Sequence, residues 1–135
     1  TPYAMVVSPG QSIEVLNPES IVHNFHIVPL DGENIPFSRM TTARAPKVII
    51  TGKHLSEPEI IIGVCDINPW MKCYLAVHDP RFAAVTGADG MFEIKDVPPG
   101  KYKVIVTHNA IDQEKEIEIK AGQATVLEGV KFKKK

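Results

Sequence analysis

Residues 59–77 read Glu-Ile-Ile-Ile-Gly-Val-Cys-Asp-Ile-Asn-Pro-Trp-Met-Lys-Cys-Tyr-Leu-Ala-Val, and this stretch decides the fold. It opens with a β-branched run, Glu59–Val64, and closes with a second apolar run, Tyr74–Val77. Both runs are too short for an ordinary helix and are typical of buried strands. The segment between them holds two cysteines and a methionine. The stretch therefore predicts two strands joined by a loop that carries chemically reactive side chains.

The same pattern extends outward in both directions. The 11 prolines and 9 glycines are spread along the chain, so no window between them predicts a long helix. We read Ile35–Ala45 as a long loop, and Asp89-Gly90 as a hairpin turn. Many short strands separated by turns indicate an all-β sandwich or barrel. The predicted strands are Ala4–Val7, Ser12–Leu16, Val22–Val28, Lys47–Ile50, Glu59–Val64, Tyr74–Val77, Phe82–Val85, Met91–Ile94, Tyr102–His108, Gln113–Lys120 and Ala124–Phe132.

Composition excludes several classes of protein. Of 135 residues, 44% are hydrophobic and 23% charged, which is typical of a folded globular chain. The 15 basic and 16 acidic residues give a net charge of −1, so nothing indicates nucleic-acid binding. No apolar run approaches the ~20 residues of a membrane span. We also find no motif of a hydrolase triad, a P-loop or a zinc protease, and we therefore expect a protein that is not an enzyme.

The candidate chemistry lies in the loop and in one distant histidine pair. Cys65 and Met71 share the loop, while His23 and His26 lie on an earlier predicted strand. A thiolate, a thioether and an imidazole together are the ligands that copper prefers. Side chains three apart in a strand point to opposite faces, so His26 would need a bulge to join His23. We predict a metal site at His23, Cys65 and Met71, with His26 as a further candidate.

At these residues the first half resembles a cupredoxin, the blue-copper sandwich family. Short-loop members, amicyanin among them, carry Cys-x-x-His-Pro-x-Met. Cys65, Pro69 and Met71 match this pattern, and His23 followed by Asn matches the family's first ligand. The loop histidine of the family is replaced by Asn68. The resemblance thus implies a copper site of atypical composition.

The second half is similar to a carboxypeptidase regulatory-like domain, a small transthyretin-like sandwich. The likeness rests on the turn at Ala88-Asp89-Gly90 and on Pro98-Pro99-Gly100 followed by Lys101-Tyr102. It predicts two domains, 1–78 cupredoxin-like and 79–135 carboxypeptidase regulatory-like, with the two sandwiches packed together. Proteins of both kinds imply a periplasmic or secreted location. They also imply a further strand ahead of Thr1-Pro2-Tyr3, so an exposed edge strand would allow a homodimer.

The resemblance implies copper binding, with electron transfer to a redox partner protein or copper handling as the function. The alternative is a metal-free secreted scaffold or interaction module whose copper site has decayed, and Asn68 is the residue that favours it. Cys65 and Cys73 have a second interpretation as a disulfide across the loop. Trp70 is expected either to pack over the loop or to dock a partner. Asp66 and Asn68 are expected to hydrogen-bond the loop backbone.

Overall fold

The fold consists of strands joined by turns in the computed structural model, which describes residues 2–44 and 47–132. A short 3-10 turn spans Gly52–His54, and the described residues contain no α-helix. The prediction of an all-β fold is therefore confirmed. The strands are β1 (Ala4–Val7), β2 (Ile13–Val15), β3 (His23–Pro29), β4 (Phe37–Thr41), β5 (Val48–Ile50), β6 (Glu59–Val64), β7 (Lys72–Val77), β8 (Gly100–His108) and β9 (Ile111–Ile119).

By compactness the chain divides into two units, of which the first ends at Glu93 and the second begins at Ile94. In the first unit, five strands form one sheet in the order β1-β7-β6-β3-β4, and β2 pairs with β5 in a smaller sheet. All pairs are antiparallel except β1 with β7, which is parallel. The domain boundary predicted between residues 78 and 79 was drawn from resemblance to two protein families. A division by compactness does not test that boundary.

The core of the first unit lies between these two sheets. Alternate side chains of β6 and β7 point inward because successive residues of a strand face opposite ways. Residues of the larger sheet meet those of the smaller sheet in one cluster, so the first unit is a β-sandwich. The buried members of this cluster are Val7, Ile27, Ile50, Leu55, Ile61, Leu75 and Val77.

Strand β6 is anchored at its start by a buried carboxylate. Glu59 accepts hydrogen bonds from the backbone N–H groups of Asp31 at 2.8 Å and Asn34 at 2.7 Å. The Asn34 side chain in turn accepts from the backbone N–H groups of Ser56 and Glu57. These bonds join the loop after β3 to the segment that precedes β6. Cys65 directly follows the last residue of β6.

The second unit, as far as residue 132, contains one hairpin, in which β8 pairs with β9 from Gly100↔Ile119 to His108↔Ile111. Its tight turn requires two residues of positive φ, which Asn109 and Ala110 supply. The carboxypeptidase regulatory-like resemblance stays a prediction.

Several local predictions were wrong. No strand forms over Phe82–Val85, Met91–Ile94 or Ala124–Phe132. Of the hairpin predicted around Asp89-Gly90, the structure has the turn at residues 87–91 but not its two strands. In this turn the Gly87 N–H donates to the Met91 carbonyl at 2.9 Å. A strand needs a neighbour to satisfy its backbone groups, and an apolar pattern alone does not supply one. Conversely, β4 forms inside the predicted loop Ile35–Ala45, of which Ala45 lies outside the described residues.

The two outer strands of the larger sheet are β1 and β4. An edge strand presents unpaired backbone groups that another chain could pair with. The homodimer expected from the sequence stays a prediction. No helix among the described residues is long and apolar enough to cross a membrane.

Candidate metal centre

The candidate site forms where β3 begins and β6 ends. The two strands run antiparallel, with His26 opposite Val64. Continuing that register past the last pair brings the first residues of β3 beside the residues that follow β6. His23, the first residue of β3, thereby reaches Cys65, although 42 residues separate them in sequence. The strand pairing thus brings the predicted imidazole and thiol together.

The two predicted donor atoms face each other in a buried setting. His23 is 8% exposed and Cys65 is 4% exposed. The Sγ atom of Cys65 lies 3.7 Å from Nδ1 of His23. A first-row metal bonds thiolate sulfur at about 2.3 Å and imidazole nitrogen at about 2.0 Å, so two such ligands lie about 3.5–3.8 Å apart. The observed separation matches that of two donors on one ion.

Glu19 is the site residue that sequence reasoning missed. Its Oε2 atom lies 2.7 Å from Nε2 of His23, the ring nitrogen that does not face Cys65. A carboxylate can only accept, so Nε2–H donates to Glu19, and Nδ1 of the neutral ring carries no hydrogen and has a lone pair. Orientation of a ligand imidazole by a carboxylate is common around protein-bound metals. Glu19 therefore leaves Nδ1 of His23 as the nitrogen that could bind a metal.

The loop that carries Glu19 is held by Asn17. The Asn17 side chain accepts from the Glu19 N–H at 3.1 Å and donates to the Ile21 carbonyl at 2.9 Å. It also lies 3.3 Å from the Thr41 carbonyl, and the Thr41 hydroxyl donates to the His23 carbonyl at 3.1 Å. Glu19 and His23 are therefore fixed by one partly buried hydrogen-bonded network.

The loop that carries Cys65 spans residues 65–71 and closes on itself. The Cys65 N–H donates to the Met71 carbonyl at 3.2 Å, and the Met71 N–H donates to the Asn68 carbonyl at 2.9 Å. These bonds bring the Asn68 side chain back toward the site. Its Nδ2 atom lies 3.1 Å from His23 Nδ1 and 3.7 Å from Cys65 Sγ.

A second set of bonds fixes the start of the loop. The side chain of Asn24 accepts from the Asp66 N–H at 2.6 Å and donates to the Asp66 carboxylate at 2.5 Å. The same carboxylate contacts His26 Nδ1 at 3.1 Å. Among the described residues, neither the Asp66 nor the Asn68 side chain bonds the loop backbone, so that prediction was wrong; Asp66 instead links β3 to the loop. His26 is engaged with Asp66, whereas His23 is engaged with Cys65.

The electrostatics of the site favour an ionised thiol. Burial raises the pKa of Cys65. Hydrogen bonds from the Asn24 backbone, from the His23 ring in its protonated form and from the backbone of Asn68 and Ile67 outweigh burial and lower the pKa to about 7. Hydrogen bonds to Cys65 and then to Glu19 raise the pKa of His23. A thiolate is the form of cysteine that binds metals. A substantial fraction of Cys65 is therefore in the metal-binding thiolate form near neutral pH.

Met71 and Trp70 complete the loop. Met71 is 40% exposed and Trp70 is 78% exposed. The expected packing of Trp70 over the loop is therefore not observed, and its indole is available to solvent. Within residues 2–44 and 47–132, no three His, Cys, Asp or Glu side chains are grouped so as to hold a metal ion. Met71 and Asn68 do not belong to these four residue types. A metal site with three or more ligands here would therefore need a ligand of another type besides His23 and Cys65.

The two cysteines are both free in the structure. Cys73 pairs in register with Gly63, and its Sγ atom lies where a side chain on Gly63 would project. Burial raises the pKa of the Cys73 thiol. The two thiols thus occupy different environments, one at the candidate metal centre and one in the packed sheet.

Comparison with known proteins gives limited matches. A solved structure of a purple cupredoxin from Nitrosopumilus maritimus is similar at 15% sequence identity, with a TM-score of 0.46; the match covers 57% of this chain and 79% of that chain. No family model and no curated protein matches the chain. The cupredoxin and carboxypeptidase regulatory-like resemblances therefore stay predictions, and the site must be interpreted from its own geometry.

Proposed function

We propose that this protein binds copper through Cys65 and His23, with Met71 as a weaker third ligand, and serves in electron transfer or copper handling. The observation that carries the proposal is the 3.7 Å separation of Cys65 Sγ and His23 Nδ1. The lowered pKa of Cys65 and the orientation of His23 by Glu19 add to it. Copper, when bound, would supply a one-electron redox centre or be the transported cargo.

The chain's own residues would shape such a site. Glu19 would hold the imidazole in one tautomer, and the Asn24–Asp66 pair would hold the loop that bears Cys65. Exposed Trp70 next to the site offers an aromatic surface for a redox partner protein, since aromatic side chains are enriched at interfaces. The role we propose is not enzymatic, because Cys65 is only 4% exposed and thus poorly accessible to a substrate. We place the protein in the periplasm or outside the cell.

Copper binding is tested by titrating the reduced protein anaerobically with Cu(I) and, separately, with Cu(II). We expect one equivalent to bind in a manner that Cys65→Ser abolishes and Cys73→Ser leaves unchanged. Cys73→Ser is the matched control because it removes the other thiol of the same chain. Binding that depends on Cys73, or no binding of either ion, would contradict the proposal.

The second candidate function is a metal-free scaffold or interaction module. A specific observation favours it: among the described residues, no buried side-chain nitrogen or oxygen lacks a hydrogen-bond partner. The site is thus complete as a hydrogen-bonded structure, with Asn68 contacting both His23 and Cys65. The same titration separates the two candidates, because a scaffold would bind neither ion at stoichiometric concentration.

A further inference from the structure

The side chain of Asn68 lies against both candidate metal ligands. Its Nδ2 atom is 3.1 Å from His23 Nδ1 and 3.7 Å from Cys65 Sγ. An amide nitrogen carries two hydrogens and donates only. Asn68 therefore hydrogen-bonds the two lone pairs that a metal would use, while its nitrogen cannot itself serve as a ligand.

Asn68 is held at this position by the backbone of its own loop. Its carbonyl accepts from the Met71 N–H at 2.9 Å, and the Met71 carbonyl accepts from the Cys65 N–H at 3.2 Å. The next residue is Pro69, whose ring fixes one backbone angle of the turn. Because these bonds restrict the backbone of Asn68, its amide would lie beside a metal held by His23 and Cys65.

We propose that Asn68 makes this site selective for Cu(I) over Cu(II). This inference rests on the proposed copper-binding function and specifies the oxidation state that the site takes. With Asn68 in the loop, the ligands of the proposed site would be the Cys65 thiolate, the His23 imidazole and the Met71 thioether. Soft thiolate and thioether ligands select Cu(I), whereas Cu(II) favours tetragonal sets of nitrogen and oxygen donors.

Charge balance in the buried site points the same way. A Cys65 thiolate with Cu(I) carries no net charge, whereas with Cu(II) it leaves one positive charge in a pocket where Cys65 is 4% exposed. An unpaired charge is costly to bury. Glu19 bonds the His23 ring and Asp66 follows Cys65 in the chain, but both carboxylate side chains are 55% exposed, so water screens their charges. Hydrogen bonding from Asn68 to the sulfur also weakens electron donation to the metal, which favours the lower oxidation state.

The test compares the wild-type residue at position 68 with Asn68→His and Asn68→Ala, all in the full chain carrying Cys73→Ala. The Cys73 change removes the second thiol, which could otherwise reduce Cu(II). Cu(I) affinity is measured anaerobically by competition with a chromophoric Cu(I) chelator. Cu(II) affinity is measured by visible absorption, with the free thiol counted after each titration to detect oxidation of Cys65.

We expect the parent to bind Cu(I) with Cys65-dependent affinity and to show no thiolate-to-copper charge-transfer band with Cu(II). Changes around a metal's direct ligands alter affinity by about 10–100-fold, so a gained ligand should exceed that range. Asn68→His should therefore raise Cu(II) affinity by more than about 100-fold and produce the band, while changing Cu(I) affinity by about tenfold or less. Asn68→Ala, which adds no ligand, should leave Cu(II) affinity low.

Two results would overturn the inference while leaving the proposed function intact. One is a parent protein that binds Cu(II) with a strong charge-transfer band. The other is an Asn68→His variant that binds Cu(I) normally but gains no affinity for Cu(II). Absence of binding for both ions in every variant would instead contradict the proposed function itself.

Discussion

Glu19 Oε2 lies 2.7 Å from His23 Nε2, at the ring nitrogen remote from Cys65. This contact sets which nitrogen of the ring bears the proton. Without it, the imidazole could carry its proton on Nδ1 and offer no lone pair toward the sulfur. Glu19 is therefore a positioning residue for the candidate site, although no hydrogen bond among the described residues joins its side chain to Cys65 or to the loop of residues 65–71.

We predict that Glu19→Gln lowers copper affinity by about 10–100-fold, as loss of an outer partner of a metal ligand typically does. A glutamine can present its N–H to Nε2 and so stabilise the other tautomer. The measurement is competition with a Cu(I) chelator. Glu14→Gln serves as the control, because Glu14 pairs with Lys47 on the surface. Equal affinity in Glu19→Gln and the control would show that Glu19 does not orient the ring.

We predict that the pKa of the Cys65 thiol lies below the ordinary cysteine value and that the pKa of the Cys73 thiol lies above it. Cys65 should ionise with a pKa of about 7, and the pKa of Cys73 is raised by burial. Ultraviolet thiolate absorbance should therefore show a step near pH 7 that is absent in Cys65→Ser, and a step above pH 9.0 that is absent in Cys73→Ser. A single step shared by both variants would contradict the assignment.

The lowered pKa of Cys65 also determines how this thiol changes the free energy of unfolding with pH. The pKa of Cys65 is lower in the folded chain than its value of 9.0 in the unfolded chain. The folded state therefore binds fewer protons, and its stabilisation is complete above pH 9.0 and is lost as pH falls to about 7. Cys65→Ser should remove this part of the pH dependence, as measured by urea unfolding across that range.

Gly63 has no room for a side chain. A Cβ atom there would lie 2.6 Å from Cys73 Sγ and 2.8 Å from Cζ of Phe25. Overpacking of this kind costs about 1–3 kcal/mol, so Gly63→Ala should lower the free energy of urea unfolding by that amount. Cys73→Ala removes the sulfur, and the cost of Gly63→Ala should be smaller in that background. An unchanged cost would assign the clash to Phe25 alone.

The strands nearest the site were predictable from sequence because their side chains alternate against a shared core. β6 spans Glu59–Val64 as predicted, and β3 runs over His23–Pro29 where Val22–Val28 was expected. β4 was missed because Ser38, Arg39 and Met40 are exposed and give it no apolar pattern. Its existence depends on pairing with β3, which a local pattern does not reveal.

Of the candidate site, sequence reasoning proposed His23 and Cys65 but not Glu19. The segment Asn17-Pro18 marks a turn, and that signal predicts a loop. It does not show that the loop folds back to place the Glu19 carboxylate against a ring in β3. That placement depends on the buried contacts of Asn17 with Thr41, which lies 24 residues further along the chain.

The proposal that His23, and not His26, is the metal ligand is tested by a pair of variants. His26 was a candidate ligand, but its Nδ1 atom lies 3.1 Å from Asp66 and its side chain is 34% exposed. A hydrogen bond from His26, and then one from Asn24, lower the pKa of Asp66. These contacts give His26 a structural role in joining β3 to the loop.

We therefore predict that His23→Gln lowers copper affinity by more than about 100-fold, because it removes a direct ligand rather than an outer partner. His26→Gln should leave the affinity within about tenfold, the low end of the range for an outer partner, because its amide can still bond Asp66. Both variants are compared by Cu(I) competition, with circular dichroism to verify folding. A His26→Gln variant that binds as poorly as His23→Gln would make His26 a ligand. Its ring would then have to leave Asp66 when the metal binds, and a raised pKa of Asp66 in the copper-loaded protein would confirm that movement.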